Sequence, residues 1–299
     1  MKAHSGQIIS SYYDIWGVKY LAIYVYKAGN IMPDATQIRD KLKSLYTDLS
    51  LMKNDQDLVL YKNCKCKDDC WKGHPVNSKN PENNKITLPY IGKSYIKSGL
   101  VCVGLNQHDD GGLDSHYNII GDKKDGVIKI LKDGGKVDKN GSLLWHRTAV
   151  YANIILKKIK CKNNNILSVN DEVLEDDKKA LSGIFNDIIY MEAIKCSPKV
   201  DRSKPFPAMK WQCIPNIFVE ELKIIKPKII LLLSKGTSTV LRQCLKNEVA
   251  EEEKSKQRHM SRYKMDFNGK TVQVFAVPHP ARYNSKDLYS ELIDLVTHA

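Results

Sequence analysis

The residue types able to do chemistry fall at three places in the chain. The apolar run Leu100-Val101-Cys102-Val103 closes on Gly104, and Asn106 follows two residues later. A short apolar run ended by a glycine reads as a buried strand. Ligands of open α/β sheets sit just outside the carboxyl ends of parallel strands, so Asn106 is expected where chemistry happens. Two further strand ends could complete that site, one reaching Cys196 and one reaching His279. The cysteines form a further set across these places. Cys64, Cys66 and Cys70 form a C-x-C-x3-C cluster, and Cys196 and Cys213 follow far downstream on either side of a Pro-containing loop. Two close and two distant thiolates can hold a [4Fe–4S] cluster, and zinc accepts the same tetrahedral set. Cys102, Cys161 and Cys244 lie in apolar or isolated contexts and read as packed thiols.

These residues need a scaffold, and the hydrophobic pattern supplies one. Strands are expected at Leu100–Val103, Ile188–Ile194, Ile229–Leu233 and Val272–Val277. Helices are expected at Ser142–Lys158, Asp176–Phe185, Ile214–Ile225 and Thr237–Leu245, with Pro227 ending the third. Strands alternating with helices predict a parallel sheet covered on both faces. The expected fold is α/β, a doubly wound three-layer α/β/α arrangement around a central four-stranded parallel sheet. Asn247–Lys264 reads as a charged, solvated segment. Residues Gly6–Tyr26 read as strand or buried segment, and Asp34 can cap a helix through Leu42, Leu45, Tyr46 and Leu49. The predicted domains are an N-terminal extension over 1–60 and the α/β domain over 61–299.

Composition narrows the class. The chain has 299 residues, enough for a sizeable core. Its net charge of +13 favours a polyanionic partner, of which nucleic acid is the commonest. The apolar stretch from Trp16 to Tyr26 is too short to span a bilayer and contains Lys19. No small-residue cleavage site follows an apolar run at the N-terminus, so a cytoplasmic, reducing compartment is expected, with no membrane partner and a monomeric chain. Cysteines in such a compartment serve as thiols or metal ligands rather than disulfides.

In order along the chain, Cys66/Cys70, Gly104-Leu105-Asn106, Lys195-Cys196-Ser197-Pro198, Arg202, Cys213, Ile225-Lys226-Pro227-Lys228 and Pro278-His279-Pro280 resemble the motifs of the uracil-DNA glycosylase superfamily, closest to its iron–sulfur, family 4-like branch. The resemblance runs from about Cys64 to the C-terminus. It implies a monofunctional DNA glycosylase with a structural [4Fe–4S] cluster on Cys66, Cys70, Cys196 and Cys213, Cys64 being the reserve ligand. It implies that the target nucleotide is flipped out of the duplex, that Asn106 positions the attacking water, and that His279 donates a hydrogen bond to the O2 of the departing base. Gln107 and Tyr117, with His116 beside it, become base-binding candidates, and Arg202, Lys204 and Arg282 become DNA-backbone contacts.

The chain departs from the family pattern in ways that bear on the substrate. The first motif is Gly-Leu-Asn where the iron–sulfur branch usually carries an acidic residue, and the last reads His-Pro-Ala-Arg. Glu192 falls where the family has the Asn that reads uracil. An Asn amide offers both a donor and an acceptor, whereas an ionised Glu only accepts. A carboxylate faces the O4 of uracil unfavourably but accepts from the N4 amino group of cytosine. Excision of ordinary cytosine would destroy the host genome, so the expected substrate is a 5-modified cytosine such as those of some phage genomes, which would make the protein an antiviral factor. Ordinary uracil excision in base excision repair is the alternative, and a non-catalytic nucleic-acid-binding protein on the same fold is the other.

Overall fold

The computed structural model describes residues 7–15, 18–26, 34–52, 64–71, 87–106, 120, 142–161, 183–195, 205–245, 252–255, 259–280 and 285–297. The chain divides into two compact units, 1–34 and 35–299. The first is an antiparallel hairpin of β1 (Gln7–Ile15) and β2 (Val18–Tyr26), rich in the β-branched and aromatic residues that favour strands.

The second unit opens with α1 (Ala35–Asp48), which buries Ile38, Leu42 and Tyr46 at helical spacing. Helix α1 falls inside the expected 1–60 extension yet packs on a helix of the main unit, because the hydroxyl of Tyr46 donates to the buried Glu221. A short helix α2 (Lys67–Trp71) follows, then β3 (Tyr90–Ile91), α3 (Tyr95–Ser98) and β4 (Leu100–Asn106). Helix α4 (Ser142–Leu156) continues into a wider π-turn over Lys157–Cys161. A 3-10 turn at Phe185–Asp187 leads into β5 (Ile188–Ile194). The expected helix over 176–185 lies mostly outside the described residues.

Helix α5 (Pro207–Cys213) runs through a π-turn at Ile214–Phe218 into α6 (Val219–Ile225). Pro215 cannot donate a backbone hydrogen bond, and the wider turn accommodates it. Lys226 ends α6 in the left-handed region at φ 53°, and Pro227 prevents continuation. Strand β6 (Ile229–Leu232), helix α7 (Lys235–Cys244), strands β7 (Glu253–Lys254), β8 (Ser261–Phe267) and β9 (Lys270–Ala276), and helix α8 (Ser285–Thr297) complete the chain.

The sheet is α/β in class but mixed and seven-stranded, in the order β3-β5-β4-β6-β9-β8-β7. That corrects the expectation of a four-stranded parallel sheet. Strands β5, β4, β6 and β9 do run parallel, and β3, β8 and β7 add antiparallel strands at the two sides. The extra strands on the β9 side lie in the segment expected to be solvated. Tyr263, Met265 and Phe267 alternate with Arg262, Lys264 and Asp266, so one face of β8 is buried while the other is charged. A period of two was legible there beneath the charge. Asn268 and Gly269 make the β8–β9 turn with both φ angles positive, at 55° and 69°. Asn-Gly in this conformation is the preferred two-residue hairpin turn, since its twist matches that of the flanking strands.

One face of the parallel strands, carrying Leu100, Cys102, Ile188, Tyr190, Leu231 and Phe275, packs in one core with α4 and α8. At the β3 end, Gly92 lies against backbone. A Cβ there would overlap the carbonyl oxygens of Phe185 and Asn186, whereas a Cβ on Gly183 would meet open space. Backbone cannot yield as a flexible side chain can. Gly92→Ala is therefore expected to destabilise the protein by about 1–3 kcal/mol in denaturant unfolding, with Gly183→Ala close to wild type.

Candidate functional site

Strand β4 extends past Gly104, so Asn106 is the last residue of the strand rather than a residue beyond it. Ladder pairing fixes its level. Val103 pairs with Leu232, and Leu232 with Ala276. Asn106 lies three residues past Val103 and His279 three past Ala276, so both sit at the carboxyl edge of the parallel strands. Only β6 separates their strands. Asn106 and His279 are both half-buried and both engaged in polar contacts. The loop carrying His279 is anchored from outside the sheet: the guanidinium of Arg147, buried on α4, donates to the carbonyl oxygen of Pro280.

Glu192 belongs to this edge. It pairs with Gly104 across the β4–β5 ladder, and its carboxylate lies directly over the Gly104 α-carbon. A Cβ at position 104 would come within 2.6 Å of the carboxyl carbon, and closer still to Oε2. Gly104 is thus required for close approach, not for an unusual backbone angle. By alternation, Cys102, Gly104 and Asn106 share a face, so Glu192 stands one same-face step below Asn106 on the neighbouring strand. The Glu192 residue is half-buried, but Oε2 has no solvent exposure. Burial raises its carboxyl from the ordinary value near 4.5 to about 7, against the opposing pull of a hydrogen bond from Tyr190 and the charge of Lys195. The Tyr190 hydroxyl donates to Glu192 Oε1 at 2.9 Å. The Tyr190 ring in turn lies 4.5 Å from Trp145, which also meets Phe185 edge-on at 6.0 Å.

Beneath the edge lies a buried ionic cluster. Lys195 Nζ is 2.8 Å from Glu221 Oε1 and donates to the backbone oxygen of Glu192 at 2.6 Å. Glu221 also receives the Tyr46 hydroxyl. Both charged side chains are essentially unexposed. Burial raises the Glu221 carboxyl, while Lys195 and Tyr46 hold it back. The end of β5, immediately before Cys196, is held by this pair.

The thiols gather close by. Cys70 and Cys213 share a hydrogen bond, which together with burial and neighbouring sulfurs raises the Cys70 thiol well above its ordinary value. Burial pushes Cys64 up to about 12, and its thiol is hydrogen-bonded to Cys66. Cys66 is raised by burial and by Cys213, and the Asn216 amide approaches its sulfur at 3.8 Å. Among the described residues no group of three or more His, Cys, Asp or Glu side chains is closed into a metal-holding geometry. The donor chemistry, however, suits a thiophilic metal: four sulfurs from two distant parts of the chain lie in mutual electrostatic reach. Cys196 lies outside the described residues, as do Gln107, His116, Tyr117, Arg202, Lys204 and Arg282.

Tyr190, Arg147 and the Tyr46–Glu221–Lys195 network were not singled out by sequence. Tyr190 carried a usable signal, standing two residues before Glu192 on the same strand face. Arg147 and Tyr46 carried none, since their partners are remote in sequence. Trp211 is 47% exposed on α5. No protein-family model matches the chain, and a search of curated proteins finds no match.

The buried carboxyl has a measurable consequence. Native Glu192 holds a proton that the unfolded chain releases between about pH 4.5 and about pH 7. Its contribution to stability is fully present below that window and is lost as pH rises through the folded value. The unfolding free energy of wild type relative to Glu192→Gln should therefore fall as pH rises from about 5 to about 8. The fall should be on the order of 3 kcal/mol, each tenfold change in proton affinity being worth about 1.4 kcal/mol. Parallel pH profiles for the two proteins in chemical denaturation would contradict the burial of this carboxyl.

Proposed function

We propose that the protein is a monofunctional DNA glycosylase of the uracil-DNA glycosylase kind, acting on a 5-modified cytosine. The observation that carries this reading is the Glu192 carboxyl seated against Gly104, one step below Asn106 at the sheet edge. The four parallel strands and the helix-covered sheet face support the doubly wound, three-layer fold the reading needs. The net charge of +13 supports a nucleic-acid partner.

A base inside a duplex is out of reach, so the nucleotide is flipped into the edge between β5 and β9. The glycosidic bond breaks with positive charge on the sugar and negative charge on the leaving base. Asn106, whose side-chain carbonyl can hold a water but not deprotonate it strongly, positions the nucleophile. His279, on a loop fixed by Arg147, donates to the base O2 where negative charge grows. Glu192 reads the opposite edge of the base. With a carboxyl that titrates near 7, it has two reading states. As a carboxylate it accepts from the N4 amino group of cytosine and repels the O4 of uracil. As a neutral acid it offers a donor and an acceptor together, and then it can pair with either base. Uracil excision by the acid form is the second reading, and the raised carboxyl is the observation that favours it.

Cys66, Cys70, Cys213 and Cys196, with Cys64 in reserve, would hold a [4Fe–4S] cluster, zinc being the alternative. Such a group would supply a rigid anchor for the loop after β5 rather than a redox step. Anaerobically purified protein should then be brown and contain iron and sulfide in near-equal amounts, and Cys213→Ala should lose both and unfold more readily. A colourless, zinc-containing protein would replace the cluster while keeping the ligands.

Excision assays test the activity. Duplexes carrying uracil, 5-hydroxymethylcytosine or its glucosylated form are incubated with the protein and scored for alkali-labile abasic sites. Wild type should act on a modified cytosine, and Asn106→Ala and His279→Ala should each lose about 10²-fold or more while still binding DNA. The ratio of modified-cytosine to uracil excision should rise as pH passes upward through about 7. Robust uracil excision unchanged by Glu192→Asn would return the protein to uracil repair. Abasic sites on no substrate would leave a binding protein.

A further inference from the structure

Beyond His279 along the same edge, α7, β7 and β8 line a half-open cavity of about 270 Å³. Among the described residues, Lys235, Arg242 and Lys254 supply three cations to its lining, Glu252 supplies a carboxylate, and Ser238 and Ser261 supply hydroxyls. None of these residues belongs to the site described above. Lys235 follows directly on the carboxyl end of β6, and Ser261 pairs with Ala276 at the carboxyl end of β9. The cavity therefore opens one strand beyond the strand that leads into His279.

Its walls are held in place. Arg242 lies 5.4 Å over the ring of Tyr263, and the Tyr263 hydroxyl is hydrogen-bonded to Ser238 at 3.2 Å. Arg242 Nη1 is bound to Glu252 at 2.7 Å, whereas its buried Nε has no hydrogen-bond acceptor among the described residues. Lys254 is 3.9 Å from the same Glu252 oxygen and 57% exposed. Glu252 thus meets both Arg242 and Lys254. The space admits a phosphate group with several of its waters, at about 30 Å³ for each water. A guanidinium fixed by an aromatic face and flanked by ammonium groups and hydroxyls is suited to phosphate oxygens.

We propose that this cavity is a phosphate-binding subsite that grips the backbone of the DNA strand a few nucleotides from the base held at Asn106 and His279. The proposal rests on the DNA-glycosylase reading for the source of the phosphate, though not for the anion chemistry. Its position on the antiparallel strands β7 and β8, outside the parallel strands, makes it an addition to the site rather than part of the excision machinery.

The test uses the full chain, a fluorescent duplex and inorganic phosphate. Lys254→Gln and Lys235→Gln should each weaken duplex binding several-fold and flatten the slope of log affinity against log salt by about 0.9. Lys223→Gln, an exposed lysine ion-paired to Glu220 on α6, serves as the control and should bind as wild type. Arg242→Gln should act in the same direction, and the two lysine variants keep the test sound if losing the contact with Tyr263 impairs folding. Wild-type duplex binding with unaltered affinity and slope in both lysine variants would overturn the subsite and leave the glycosylase reading standing. If the wild type fails to bind duplex, yet inorganic phosphate raises its melting temperature and the lysine variants lose that response, the anion site holds and the DNA source falls. Neither duplex binding nor a phosphate response would overturn the subsite together with its source.

Discussion

The site depends on a buried charge pair beneath it. Lys195 and Glu221 are both removed from water, an expensive arrangement that persists only because each charge faces the other. Groups from distant parts of the chain hold the pair, although Glu221 Oε2 makes no hydrogen bond among the described residues. Tyr46 comes from α1, Glu221 from α6, and the Glu192 carbonyl from the strand that Lys195 itself terminates. The N-terminal helix, the helix before β6 and the end of β5 are thereby locked into one geometry. The carboxyl edge of β5 inherits its rigidity from that lock.

Glu192 uses that rigidity. A carboxyl at a strand end would ordinarily be solvated and ionised. Here the absence of a side chain at Gly104 lets it lie flat on the neighbouring strand, and Tyr190 fixes one oxygen by hydrogen bond. Trp145 packs behind Tyr190, so the orientation of the carboxyl is set by a stack of aromatic rings from α4 and β5. Burial outweighs both the hydrogen bond and the lysine charge, which is why the carboxyl titrates near 7 rather than below its ordinary value. A group poised there can change its hydrogen-bonding character within the physiological range.

The thiols obey the same logic of convergence. Cys64, Cys66 and Cys70 enter from a polar segment around α2, and Cys213 from the end of α5, which packs on α2. Burial and the neighbouring sulfurs disfavour the thiolate form, as Cys64 and Cys70 display. A thiophilic cation would reverse that cost, since it binds the deprotonated form.

Local pattern was enough to locate the parallel strands and the helices α4, α6 and α7, though not α8, because their signal is intrinsic to a few consecutive residues: apolar runs at Leu100, Ile188 and Ile229, and the stop at Pro227. The same reasoning placed Asn106 and His279 at strand ends. It misread residues 247–264, where the charges of Arg262 and Lys264 masked the start of a two-residue alternation that runs on to Phe267 and the Asn268-Gly269 turn. Other features had no local signal. That Arg147 holds the His279 loop, that Tyr46 reaches Glu221 across 175 positions, and that the Glu192 carboxyl fills the space over Gly104 are consequences of which elements become neighbours. Side-chain type and periodicity are properties of short segments, whereas burial, ionisation and contact arise only when distant segments share one volume. Tertiary structure alone therefore decided the charge state available to Glu192.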